Sequence, residues 1–74
     1  MEPACLELSL VPGTAGTYAV AFSRRWRDWL VFRHMSQPKG HPYWLWVATS
    51  DTEEKALSLA VQSYDEETRW TVAP

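Results

Sequence analysis

Cysteine is almost missing from this 74-residue chain, and Cys5 stands alone. No disulfide can form within it, so a small secreted scaffold stapled by bridges is excluded. With no His or Lys beside it, Cys5 reads as a small hydrophobe near a strand start. Histidine is nearly as sparse: His34 and His41 flank a Pro/Gly loop, with no Cys or clustered carboxylates at ligand spacing. No zinc or other metal site is expected from them, and no cofactor. The three glycines build no phosphate-cradling loop, and no nucleophile elbow frames the Ser, His and Asp residues. The expectation is a non-enzyme. Long apolar runs are missing too, since nothing approaches the roughly 18 to 20 residues a spanning helix needs. Residues 1–16 carry no Lys or Arg, and Glu2 and Glu7 interrupt any apolar run, which argues against a signal peptide. A soluble, cytoplasmic protein is expected. A net charge of -2 argues against holding nucleic acid through a global positive field.

Turning to what is there, 46% hydrophobic and 22% charged residues describe a globular chain and not a disordered one. Its length fits one domain over 1–74, with no linker and no internal repeat. Leu6, Leu8 and Leu10 alternate with Glu7 and Ser9, the period of a half-buried strand, and Pro12 and Gly13 break it. Tyr18, Val20 and Phe22 alternate with Ala19 and Ala21, a second strand with one bulky face and one small face. A third strand over 29–34 puts Trp29, Val31 and Arg33 on one side and Leu30, Phe32 and His34 on the other. Residues 35–42, with Pro38, Gly40 and Pro42, form a loop at a hairpin tip, and 43–48 form a fourth strand.

A helix is predicted over 51–65. Ser50 with Glu53, or Asp51 with Glu54, fits a capping box, and Ala56, Leu57, Ala60, Val61 and Tyr64 make one apolar stripe. Asp65, Glu66 and Glu67 would then sit at its C-terminal end, where the macrodipole disfavours acids. Residues 68–72, carrying Trp70, read as a closing strand. The fold class expected is α+β: a small antiparallel sheet of four or five strands with one amphipathic helix on one face, in the order β-β-β-β-α-β.

Against these scarcities stands an excess of tryptophan, five among ten aromatic residues. At roughly 150 to 250 Å² each, the aromatics bring more surface than one helix-covered layer can hide. In the fourth strand Tyr43, Leu45 and Val47 point one way and Trp44 and Trp46 the other, so one set lies on the sheet's second face. The N-terminal segment, a second copy or a partner would cover it, unless the strands curl into a half-barrel. Charge is polarised as well. Over 24–39, Arg24, Arg25, Arg27, Arg33 and Lys39 face Asp28 alone, while over 51–67 Asp51, Glu53, Glu54, Asp65, Glu66 and Glu67 face only Lys55.

Protein binding accounts for most of these residues. Arg24, Arg25, Trp26, Arg27 and Trp29 form a segment rich in the residue types that dominate interface hot spots, and Trp44 and Trp46 add a flat apolar centre. The six acids offer a second surface, suited to an Arg/Lys groove on a partner, even one built for nucleic-acid phosphates. The function expected is a small inhibitor or adaptor that occupies a partner's surface. In size and in lacking a catalytic signature it is similar to small phage-type inhibitors of host defence complexes, the anti-CRISPR proteins, although no motif carries that likeness. Two alternatives remain: a single-stranded nucleic-acid-binding module using the Arg/Trp segment 24–29, and an accessory subunit that homodimerises through the open sheet face. Membrane association is not expected, because Asp28 and the β-like alternation after it spoil the interfacial character of RRWRDWLVF.

Overall fold

The computed structural model describes residues 7–36 and 38–71. Its strands are β1 (Ser9–Leu10), β2 (Tyr18–Ser23), β3 (Asp28–Met35) and β4 (Tyr43–Ser50), and its one helix is α1 (Glu53–Thr71). The strands pair antiparallel in the order β1-β2-β3-β4, so β1 and β4 are the edges of an open sheet. Pairing in β1 covers only the end of the Leu6, Leu8, Leu10 alternation. Leu6, like Cys5, lies outside the described residues. The turn after β1 is held by hydrogen bonds from Val11 N to Tyr18 O (2.9 Å) and from the buried Thr14 Oγ1 to Val11 O (2.8 Å). Gly13 and Gly16 take positive φ values of 83° and 74° in it, conformations a Cβ would strain, and Ala15 between them holds one of 54°.

Register assigns the faces. Tyr18, Val20 and Phe22 pair with Arg33, Val31 and Trp29, while Ala19 and Ala21 pair with Phe32 and Leu30. The first set faces the helix: Val11, Tyr18, Val20 and Val31 form one core cluster with Ala56 and Ala60, and Trp29, Ala48, Leu57, Val61 and Tyr64 pack around it. Ala56 and Ala60, both fully buried, stand four residues apart on one side of α1, and their small size lets the helix backbone approach the sheet. In β4 the simple alternation fails at one point. Phe32 pairs with Trp46 but Val31 with Ala48, so the register slips by one residue at a bulge. That extra residue carries Ala48 and Ser50 to the helix side while Trp44 and Trp46 remain on the other.

The helix differs from its prediction at both ends. Its N-cap is Thr52, whose Oγ1 accepts from Lys55 N (3.2 Å) and whose carbonyl accepts from Ala56 N (3.1 Å). Neither Ser50 nor Asp51 caps it: Ser50 is the last residue of β4, and Asp51 pairs with Lys55 at 3.4 Å. At the other end the strand expected over 68–72 does not form, because α1 continues through Thr71; Val72 lies outside the described residues. Thr68 lies within α1. Its hydroxyl donates within the helix, to Tyr64 O (3.1 Å) and Asp65 O (3.0 Å), whereas a lone closing strand would need a partner for its backbone groups. The extension also removes the electrostatic conflict, since Asp65, Glu66 and Glu67 become interior helix residues and Arg69 occupies the last turn.

Glu67 ties these last turns to the sheet. Arg33 grips its carboxylate with both ends of the guanidinium, Nε to Oε2 and Nη2 to Oε1 at 2.8 Å each, and the Tyr18 hydroxyl donates to Oε2. The hydrogen bonds from Arg33 hold the Glu67 carboxyl below its ordinary range despite burial, while burial and the neighbouring carboxylate push the Tyr18 phenol up. The stabilisation by Glu67 is therefore complete above the ordinary carboxylate range and drains away as pH falls through the lowered folded-state value. Tyr18 acts on the opposite limb: its contribution is complete below 10.0 and is lost as pH rises through the raised value. The Arg33 and Glu67 side chains are 31% and 35% exposed, which limits the worth of the pair. Glu67→Gln is expected to cost about 1 kcal/mol in urea melts at neutral pH and much less at pH 3, flattening the acid limb; an acid limb unchanged from wild type would show that the pair does not act this way. Ala60→Leu, which forces a large side chain between helix and sheet, is expected to cost about 1 to 3 kcal/mol in the same melts.

Candidate functional site: the open face of the sheet

The face turned away from α1 is built by strand period and pairing alone. One row across the sheet holds Leu10, Ala19, Phe32 and Trp46, and neighbouring rows add Ala21, Leu30 and Thr49, then His34 and Trp44. Leu10 is 61% exposed and Trp46 50%, while Ala19, Ala21 and Leu30 between them are buried. The His34 and Trp44 rings meet edge-on, with centroids 5.1 Å apart. The result is a broad apolar surface with an aromatic side along β4.

The hairpin between β2 and β3 brings Trp26 to this surface. Ser23 and Asp28 are register partners, and the four-residue loop 24–27 closes by hydrogen bonds from Arg27 N to Ser23 O (2.7 Å) and from Trp26 N to Ser23 Oγ (3.2 Å). Arg27 takes the left-handed conformation at φ 57°, a strain that closing so short a loop imposes on a non-glycine residue. The Trp26 indole then lies 5.3 Å from that of Trp46, tilted by 33°. Trp46 is oriented toward this end of the sheet by its Nε1, which donates to Ala48 O (3.0 Å) and Thr49 Oγ1 (3.1 Å). Two indoles, each about half exposed, thus form one platform. Arg24, Arg25 and Arg27 are exposed beside it. Among the described residues the ion pairs are Arg33–Glu67 and Lys55–Asp51, so none of these three arginines is neutralised by a carboxylate.

The residues singled out from sequence therefore divide. Trp26, Trp44 and Trp46 share the open face with the three loop arginines, but Trp29 does not: strand alternation turns it to the helix side, where it packs against Phe22 at 5.3 Å and borders the core. The acids do not form one surface either. Asp51, Glu53 and Glu54 cluster at the helix start; Asp65 and Glu66 lie exposed about 16 Å further along the axis, and Glu67 is engaged by Arg33 and Tyr18. Sequence reasoning did not assign Leu10, Phe32 and His34 to the site, although the alternation that separates Phe32 from Trp29 was visible. It also did not foresee the joining of Tyr18, Arg33 and Glu67. A hollow on the helix, lined by Ser50, Thr52, Glu54, Lys55, Leu59 and Gln62, brings no set of catalytic groups together. Among the described residues no cluster of His, Cys, Asp or Glu could hold a metal ion, and no helix is long and apolar enough to cross a membrane.

Opposite placement of the two tryptophans makes their substitutions diverge. Trp26→Ala is expected to cost about 1 kcal/mol or less and to abolish the far-UV exciton couplet of a stacked indole pair, whereas Trp29→Ala is expected to cost about 3 kcal/mol in thermal or urea melts. Equal costs would contradict the assignment of faces. Compared with known protein families, with curated proteins and with solved structures, the chain matches none of them.

Proposed function

We propose that this chain is a non-enzymatic binding domain that acts as an inhibitor or adaptor by laying the open face of its sheet on another protein. One observation carries the reading: the Trp26 and Trp46 rings pack against each other, centroids 5.3 Å apart, while each stays about half exposed, on the face that also holds Phe32 and Leu10. Aromatic pairs are normally hidden in cores, and a contiguous apolar surface of this kind marks a contact site. The arrangement also has the anatomy of an interface, with Trp and Leu at the centre and Arg24, Arg25 and Arg27 at the rim. The rim arginines favour a partner that is acidic around an apolar patch, and unpaired guanidiniums speed encounter with such a surface.

A second reading, a single-stranded nucleic-acid binder, draws support from the same platform, since exposed indoles beside arginines stack bases and hold phosphates. Two measurements separate the readings. Affinity capture from the source cell's lysate with wild type, Trp46→Ala and Arg25→Ala is expected to recover one protein with wild type and to lose it with Trp46→Ala, while melting curves stay within about 1 kcal/mol of wild type. Titration with labelled single-stranded oligonucleotides at low salt is expected to give no binding. Salt-sensitive oligonucleotide binding lost in Trp46→Ala would replace the protein reading with the nucleic-acid one.

A further inference from the structure

We propose that β4 is a pairing edge that joins β4 of a second copy of this chain, so that two sheets become one of eight strands. The inference concerns the edge of the sheet and does not depend on what the open face binds. Edge strands in monomeric proteins are commonly short, charged, or interrupted by proline, because unpaired N–H and C=O groups invite another strand. The other edge, β1, obeys this with two residues. β4 does not. It is eight residues long, YWLWVATS, without one charge or proline, and Tyr43, Leu45, Trp46 and Val47 are 42%, 42%, 50% and 45% exposed. Its bulge lies toward the helix, so 43–46 keep a regular register with β3.

Two observations select a second copy as the occupant. The first is geometric. An antiparallel pair of identical strands about a two-fold axis keeps like faces together only when the axis passes between a residue and its own copy, because side chains alternate with period two. An axis at Leu45 sets Leu45 against itself and Trp44 against Trp46 of the other copy, a cross-strand aromatic pair made twice. The second is charge. Exposed Lys39 precedes the strand, and exposed Glu53 and Glu54 follow it, beside an Asp51 already paired with Lys55. Antiparallel pairing places the basic end of each copy beside the acidic end of the other, again twice. Strand addition supplies backbone hydrogen bonds, and these ends supply the orientation. The two open faces then form one surface with the tryptophans of both β4 strands at its middle.

Sedimentation equilibrium of the full chain from low to high micromolar concentration is the test, with a dimer as the expected result. Leu45→Lys, which sets two ammonium groups against each other at the axis, is expected to raise the dimer dissociation constant at least about tenfold without changing the far-UV CD spectrum. Val47→Lys repeats the test from a second exposed position should Leu45→Lys misfold. Lys39→Glu is expected to weaken association, and Lys39→Glu with Glu53→Lys to restore it. A wild-type chain that sediments as a monomer throughout overturns the proposal, as does a dimer that both lysine variants leave intact while Leu10→Lys on the open face breaks it. A monomer whose β4 instead takes up an extended segment of another protein overturns the self-pairing.

Discussion

One helix covers one face of a sheet, and the rest of this molecule follows from that limit. Four strands present two faces, and α1 packs on the face that holds Val20 and Val31. A parallel sheet of this size would have helices on both sides because its crossovers put them there; hairpin connections bring no such cover. The second face keeps Phe32, Trp44 and Trp46, and no helix among the described residues packs on it. Its small centre softens the exposure. Ala19 and Ala21 need little shielding, and the larger residues on either side rise around them.

The helix holds its position by two unlike devices. Near its start and middle, Ala56 and Ala60 let the backbone sit close to the sheet, a contact without polar direction. Near its end, Arg33 and Tyr18 converge on Glu67, and that grip is directional: a planar guanidinium meets both carboxylate oxygens in one orientation. Close packing alone leaves a helix free to slide or rotate on an apolar surface, so the bidentate pair fixes the angle and draws the last turns of α1 down onto β2 and β3. Arg33 is also spoken for by this pair, donating further to His34 O at 3.0 Å. The arginines left to act outward are those of the β2–β3 loop.

Much of the fold was legible from periodicity. The alternations in β2 and β3 gave both faces correctly, down to Trp29 beside Val31 and Phe32 beside Leu30, because a strand has no choice but to alternate. Two features were not legible, for physical reasons. The bulge in β4 leaves no mark in an uncharged run such as YWLWVA, where either register is apolar on both sides. The extension of α1 through Thr68 runs against local preference, since Thr and Trp favour strands; it is accompanied by the ion pair of Glu67 with a residue 34 positions earlier, which no local window contains. The candidate site suffered from the same locality. Trp26 and Trp29 are close in the chain and were grouped for that reason, yet a hairpin tip followed by strand alternation sends them to opposite faces.

The aromatic excess is therefore divided by function as well as by face. Trp29 and Tyr18 are structural, the one bordering the core and the other fixing Glu67. Trp26 and Trp46 stand outside the helix-side core cluster, and their ring contact has a different consequence: it leans the β2–β3 loop on β4 and holds the two indoles in place before anything binds. A side chain already fixed loses less entropy on contact than a free one, so an exposed aromatic pair that is immobilised by its own stacking and by the Nε1 hydrogen bonds of Trp46 is a better anchor than two isolated indoles. The same stacking fixes the loop that carries Arg24, Arg25 and Arg27, so the charged rim and the apolar centre are presented as one preformed unit.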